Sequence, residues 1–294
     1  MSRQIKADLC LLTITLVWGV SFVLIRNVLA HIPSFAYLAL RFIIASAILL
    51  LLYHRKLKLL DTKALLYGLF LSFLLAGGMA LQVTGLYYTT ASNSAFITAL
   101  SVVFVPVISA LMFKQKPDRY SVIGVILAAI GLYFITGGIN FNFNKGDFLT
   151  FLSAICFSLQ IIYIDKFTEK CDPLLLSILQ ISFCALIYPV IWFAIDFQTV
   201  TFNVTVVYTL IITGALCTAL AYTVQTVAQK HTTPTHTAMI FSMEPVFGLF
   251  FALIIPDSMG MTEKLTMNTV LGSILIFLGI MASEAKTIFR EVRE

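Results

Sequence analysis

The sequence predicts an all-α integral membrane protein of ten transmembrane helices, arranged as two inverted five-helix repeats. Three observations carry this reading. Of 294 residues, 60% are hydrophobic and only 11% are charged, whereas a soluble domain carries about 25% charged residues. The apolar residues fall into ten runs, each close to the ~20 residues that cross a hydrocarbon core. Positive charges collect on alternate connections between those runs.

The runs cover 7–27, 34–53, 64–88, 91–113, 119–138, 146–167, 173–195, 204–229, 234–255 and 267–285. Met1-Ser2-Arg3-Gln4-Ile5-Lys6 precedes the first. That run is too long for a signal peptide and no small-x-small cleavage site follows it, so it reads as a retained helix. Pro33 opens the second, and the basic stretch Arg55 to Lys63 separates it from the third. The gap between third and fourth is very short, as a tight antiparallel hairpin requires. Lys114-Gln115-Lys116-Pro117, Asn140 to Lys145, Cys171-Asp172-Pro173 and Pro234 mark later breaks. Gly137-Gly138 is read as the end of the fifth helix. Strands are excluded because runs such as Phe42 to Tyr53 do not alternate apolar and polar residues.

With the N-terminus in the cytoplasm, fifteen Lys and Arg residues fall inside. Three (Arg26, Lys145 and Lys264) fall outside, and Arg41 lies within the second helix. This positive-inside bias predicts a multi-pass protein of the cell membrane with both termini cytoplasmic. It also turns the net charge of +5 into a topology signal rather than a nucleic-acid surface. Cys10, Cys156, Cys171, Cys184 and Cys217 are scattered through apolar runs without C-x-x-C spacing. They read as small packing residues rather than disulfides or metal ligands.

The two halves resemble each other. Thr89-Thr90-Ala91-Ser92-Asn93-Ser94-Ala95 opens the fourth helix, and Thr232-Thr233-Pro234-Thr235-His236-Thr237-Ala238 opens the ninth. Gln82 and Gln225 lie seven residues upstream of each. Gly124 and Gly131 share their spacing with Gly272 and Gly279. Asp8 precedes Trp18 by ten residues, as Asp147 precedes Phe157. Five helices per half is an odd number, so the second half enters the membrane from the opposite side. The repeats are placed at 7–138 and 146–285, the architecture of many alternating-access transporters.

These features resemble the drug/metabolite transporter superfamily, EamA-type. The resemblance rests on Trp18-Gly19-Val20-Ser21-Phe22, Arg41-Phe42, Gly85-Leu86-Tyr87-Tyr88-Thr89-Thr90-Ala91, Glu244-Pro245-Val246-Phe247 and the Gly-x6-Gly ends of both halves. It covers roughly 8–285 and implies carriage of amino acids, other metabolites, cations or drugs. Two departures stand out. Pro106 lies one turn later than Val102, the position matching Pro245, so the halves are expected to bend at different depths. The acid near the ninth-to-tenth connection falls on Glu263, and its counterpart in the first half is Gln115.

Glu244 is the most informative side chain, about 15 Å into its helix at 1.5 Å per residue. An acid there binds a cationic group, takes up a proton, or holds the bend before Pro245. Arg41, about 10 Å into the second helix, meets a substrate anion, snorkels outward, or pairs with a helix end. Trp18 lines a pocket or packs. Gln82, Gln225 and Gln160, with Gln180, either bind substrate or tie helices together at about 0.6 kcal/mol each. Tyr222, Tyr87 and Asn93 complete the candidate substrate-binding set. The hydroxyls near Asn93 and His236 suit helix caps, and His236 itself reads as a solvated interfacial residue. The paired glycines suit close helix approach.

The expected function is a secondary transporter of small metabolites such as amino acids or related amphipathic compounds. It works by alternating access through a central cavity, with proton linkage through Glu244; export is the direction the resemblance implies. The alternatives are a cation, amine or drug transporter with Glu244 as the cation site, or a lipid flippase. An enzyme is disfavoured because H-E-x-x-H, G-x-S-x-G and paired intramembrane aspartates are all missing, and without a Walker A motif direct ATP drive is disfavoured too. Few charge rings and no filter sequence speak against a channel. No catalytic residue, cofactor or metal is expected. The expected partners are a small-molecule substrate, membrane lipids and protons, not nucleic acid, and no oligomer is required.

Overall fold

The computed structural model describes residues 3–89, 91–114, 118–135, 144–195, 197–256, 262 and 265–291, without the side chains of 92, 93, 135 and 283–291. Gln115, Gly137, Gly138, Glu263 and the side chain of Asn93 therefore lie outside the described residues. Among those described, every regular element is helical.

Helix α1 spans Arg3–Val28 and α2 spans Ser34–Tyr53. A 3-10 turn, His54–Leu59, leads to α3, Thr62–Gly85. The fourth apolar run is divided into α4, Ala91–Ala99, and α5, Ser101–Phe113. Then come α6 (Arg119–Ile135), α7 (Lys145–Thr168) and α8 (Pro173–Ile195). The eighth run is α9 (Val204–Ile211), a π-helical segment (Ile212–Leu220) and α10 (Ala221–Gln229). The ninth is α11 (Pro234–Phe241) and α12 (Glu244–Ala252), and α13 covers Met267–Glu291. Among the described residues, seven helical stretches are long and apolar enough to cross a membrane, and two further apolar helices are shorter.

Local chemistry sets the helix starts. Asp61 accepts from the Ala64 N–H, Asn203 from Val206, and Thr233 from His236. Asn144 and Asp147 cap α7 reciprocally, satisfying two otherwise orphaned N–H groups.

The exterior is apolar, unlike that of a soluble protein, and polar residues join an otherwise hydrophobic core. Leu51, Leu111, Val190, Ile195 and Val204 are exposed on the outside, while Thr15, Thr150, Ser158, Gln160, Gln180 and Thr226 are buried. Such an apolar exterior suits lipid rather than water. The interior hydroxyls bond back along their own helices: Thr15 to the Leu11 carbonyl, Thr150 to Gly146, Thr226 to Tyr222.

Helix α2 lies along α8, and α3 along α7 and α8. Helix α1 packs against α10, α11 and α12, while α7 packs against α3, α4 and α5. Helices α6 and α13 form the most extensive pair, because their glycines face one another. A Cβ on Gly124 would fall 2.6 Å from the Gly279 carbonyl oxygen, and one on Gly131 2.6 Å from that of Gly272. The shared Gly-x6-Gly spacing is thus a matched set of backbone contacts.

At the end of the molecule bearing most of the Lys and Arg residues, Lys56 Nζ lies 2.7 Å from Asp172 Oδ2 and clips the turn after α2 to the start of α8. Partial burial opposes the charged form of Asp172. The Lys56 hydrogen bond, the Leu175 N–H and the Lys56 charge outweigh it and hold the carboxyl below the usual value of 3.8.

Two outcomes are expected. Gly131→Ala should lower the thermal unfolding midpoint, an overpacking cost of about 1–3 kcal/mol. Gly77→Ala should not, because its nearest neighbour would be the Cys156 Sγ at 3.8 Å; equal midpoints would rule out the glycine contact as the reason. Secondly, a depressed folded pKa contributes stability that is complete above the ordinary carboxylate range and lost as pH falls through the folded value. On acidification below 3.8, the wild-type midpoint should fall further than that of Asp172→Asn, read by unfolding at stepped pH.

Candidate functional site

A cavity of about 50 Å³ lies where α1, α2, α3, α4, α5, α7, α10, α11 and α12 converge. A site needs ~10–15 Å³ per water, so this conformer has room for only a few waters. Seven of the sequence-predicted residues line it: Glu244, Trp18, Arg41, Gln82, Gln225, Gln160 and Tyr222.

Arg41 is 1% exposed, so it does not snorkel. Its partners come from the π-helical segment and from its own helix. Nε donates to Thr218 Oγ1 at 2.6 Å, Nη1 to the Tyr37 hydroxyl at 3.2 Å, and Nη2 reaches the Cys217 carbonyl at 3.5 Å. The π geometry makes this possible. The Ala221 N–H bonds to the carbonyls of Leu216 and Thr218. In an α-helix it would bond to that of Cys217. The Cys217 carbonyl is released and accepts from the Trp18 indole Nε1 at 2.8 Å. Three of the five guanidinium N–H donors thus have partners among the described residues.

Trp18 packs against Tyr222 with ring centroids 5.2 Å apart, and edge-on against Phe241 at 4.9 Å. With its N–H satisfied and two aromatic rings against it, it forms an apolar wall of the cavity. Tyr222 directs its hydroxyl to Met79 Sδ at 3.6 Å.

The amides are partly committed to holding helices. Gln82 donates to Thr98 Oγ1 at 2.9 Å, and Gln160 to Gln180 Oε1 at 3.0 Å. Gln180 passes the chain on to Thr226 and is itself fully buried behind the cavity wall. The Gln225 Oε1 is buried without a hydrogen-bond partner among the described residues.

Glu244 is the first residue of α12, directly after the break at Ser242-Met243. Pro245 follows at a position where a missing N–H costs no helical bond. The carboxyl makes no hydrogen bond or ion pair among the described residues, and it lines the cavity. The break in the other half falls at Leu100, matching Met243 when Val102 is set against Pro245. The two breaks thus fall at matched sequence positions, and Pro106 sits well inside α5.

Tyr87 does not join the cavity. Helix α3 ends at Gly85, and Tyr87 lies in the following turn, 44% exposed beside Leu29 to Pro33. The side chain of Asn93 is outside the described residues. His236 is not solvated: it is 7% exposed, with Nδ1 3.2 Å from Gln4 Nε2. Sequence reasoning missed Ser21, Met79, Thr98, Ser101, Phe157 and Phe241 in the lining. The repeat spacing held the signal, since each stands opposite another lining residue: Ser21 with Gln160, Met79 with Tyr222, Thr98 with Phe241, Ser101 with Glu244, and Phe157 with Trp18.

No group of three or more His, Cys, Asp or Glu gathers among the described residues. The site offers a pocket with one uncompensated acid, one buried cation, neutral amides and aromatic walls. That equipment suits binding of a small polar molecule.

The model of the EamA-like transporter family matches residues 5–137 and 144–283. An "uncharacterized transporter" of Archaeoglobus fulgidus is 33% identical over 279 residues, covering 95% of this chain and 86% of its own length. A "probable amino-acid metabolite efflux pump" of Salmonella typhimurium is 24% identical, covering 95% and 94%. A solved protein structure superposes with a TM-score of 0.76 at 13% identity, over 95% of this chain and 97% of that one, which bears on the fold alone.

Thr218→Val keeps shape but leaves the Arg41 Nε–H without an acceptor, and it should destabilise the protein by about 1–3 kcal/mol. Thr13→Val removes only an exposed bond to the Leu9 carbonyl and should be near neutral. If denaturant unfolding gives the same midpoint for both, the guanidinium does not depend on Thr218.

Proposed function

Because the chain belongs to the EamA-like transporter family, we propose that it is a secondary transporter of small amphipathic metabolites carrying an ammonium group, amino acids above all, with Glu244 exchanging that group for a proton. The chain is a multi-pass membrane protein. The carrying observation is the Glu244 carboxyl, which faces the cavity without a hydrogen bond or ion pair among the described residues. A lone carboxylate in such a place is costly. A proton or a cation offsets the cost, and the two compete for one group. In this scheme the ammonium leaves for one side as a proton enters from the other, which couples the fluxes without ATP.

The finer architecture belongs to the same proposal. We read ten crossings, with the basic end of the molecule in the cytoplasm and both termini there, and two repeats at 7–138 and 146–285. Two observations support the inverted relation. Helix α7 meets α3, α4 and α5 as α1 meets α10, α11 and α12. Lining residues of the first helices pair at a constant offset, Trp18 with Phe157 and Ser21 with Gln160. Those of the third and fourth pair at another, Gln82 with Gln225 and Ser101 with Glu244. Alternating access then exchanges the roles of the two halves about the cavity. Export is the direction suggested by the Salmonella relative's name.

A simple amine or cationic drug is the second reading. Arg41 separates the two. It lines the cavity with N–H donors beyond those used by Thr218, Tyr37 and Cys217, which suits a substrate carboxylate.

A thermal-shift screen of the purified protein against amino acids, amines, nucleosides and drugs identifies ligands, since binding the folded state raises its midpoint. With a ligand in hand, Glu244→Gln should weaken its binding about tenfold or more, through loss of a charge-assisted contact. Proteoliposome flux should also lose its dependence on pH. Wild-type flux across a pH series in Glu244→Gln would defeat the proposal. Arg41→Gln should impair amino acids more than matched amines; equal impairment would favour the second reading.

A further inference from the structure

At the basic end, a second cavity of about 500 Å³ opens between the start of α1 and the end of α10. Its size lies within the range of small-molecule sites, ~300–1,000 Å³. The walls are apolar and include Ala7, Val224, Val227 and Ala228, and the rim carries Arg3, Lys6 and His231. Leu9 and Leu220, on the same two helical stretches, are exposed apolar residues, so the groove opens on the lipid-facing flank.

Sequence differences between the halves explain why a groove exists here. Ala7 precedes Asp8 as Gly146 precedes Asp147, and Ala228 follows Gln225 by three as Gly85 follows Gln82. At the opposite end the two glycines bring backbones together. A Cβ on Gly146 would fall 2.5 Å from the Gly85 carbonyl oxygen and 2.8 Å from the Thr89 nitrogen. Thr89 closes that seam by donating to Asp147 Oδ1 at 2.6 Å. The methyl groups of Ala7 and Ala228 forbid the same approach. Thr232, the counterpart of Thr89, has a buried hydroxyl without a partner among the described residues.

We propose that this groove binds one anionic phospholipid of the cytoplasmic leaflet. An acyl chain lies along Val224, Val227 and Ala228, and the phosphate meets Arg3, Lys6 and His231. Arg3 and Lys6 are three residues apart and share one helix face. Basic rims on clefts between membrane helices select anionic head groups. The apolar walls decide for a lipid over free phosphate, which would leave them in contact with water. The leaflet rests on the orientation proposed above, whereas the binding itself needs no assumption about substrate or coupling.

Native mass spectrometry of the full chain, released from nanodiscs containing equal phosphatidylglycerol and phosphatidylcholine of matched chains, tests this. One phosphatidylglycerol should be retained per chain in preference to phosphatidylcholine. The double variant Arg3→Gln, Lys6→Gln should lower that retention about tenfold or more. Val227→Trp, which fills the groove from its partly exposed rim, should lower it independently. The pair Lys58→Gln, Lys63→Gln, basic residues of the same end outside the groove, should leave it unchanged. Equal retention of the two lipids overturns the proposal. So does unchanged retention in either groove variant, or an equal loss in the control pair.

Discussion

The cavity depends on how a guanidinium is compensated away from water. Arg41 is fully buried, and a buried charge persists only when its donors are met. In a regular α-helix each interior carbonyl already accepts the N–H four residues on, so a further donor has to share it. Between Ile212 and Leu220 the chain winds one residue wider, and this shift frees the Cys217 carbonyl. That single oxygen accepts from both Trp18 and Arg41. It fixes α1 and α2 against the eighth apolar run in one set of contacts. Thr218 completes the arrangement, with its hydroxyl donating to the Thr213 carbonyl while accepting from Arg41.

Once those elements are fixed, the other side chains fall into place. Trp18, held by its indole N–H, presents its faces to Tyr222 and Phe241. Phe241 ends α11, so the aromatic cluster lies directly beside the break before Glu244. The acid thus arrives at the cavity because of a helix break two residues upstream and an aromatic cluster beneath it. The same break in the first half delivers Ser101, so the cavity carries its acid on one side only.

Much of this was legible in the sequence, and the physical reason is the solvent. A lipid surroundings admits few local choices, so apolar runs and charged connections report the helices almost directly. Intramembrane polar residues were legible for the same reason: burying Glu244, Gln82 and Gln225 is costly, and they converge on one cavity. Tyr87 misled because a turn at Leu86 to Tyr88 is chemically quiet in a run of apolar and aromatic residues. The π-helical segment was illegible, since Ile212 to Leu220 differs in no local propensity from the helix around it; only the needs of Arg41 and Trp18, distant in sequence, mark it. The break in the fourth apolar run lies at Leu100, upstream of Pro106. Its missing N–H affects the helix downstream of Leu100, where the chain has already turned.

Two identical halves related by an inverted repeat would have no preferred side, so any direction resides in their differences. The differences here are local. At one end, Gly85 and Gly146 touch through their backbones, Thr89 bonds to Asp147, and Arg26 donates to the carbonyls of Leu86 and Thr89. At the other end, alanines stand where those glycines stand, and the Thr232 hydroxyl lacks a partner among the described residues. Separating the first seam breaks several hydrogen bonds and exposes close-packed backbone, each at a cost in an apolar medium. The two ends thus differ in the choice of glycine or alanine at two matched positions, and the close backbone approach of Gly85 and Gly146 belongs to the end opposite the basic residues.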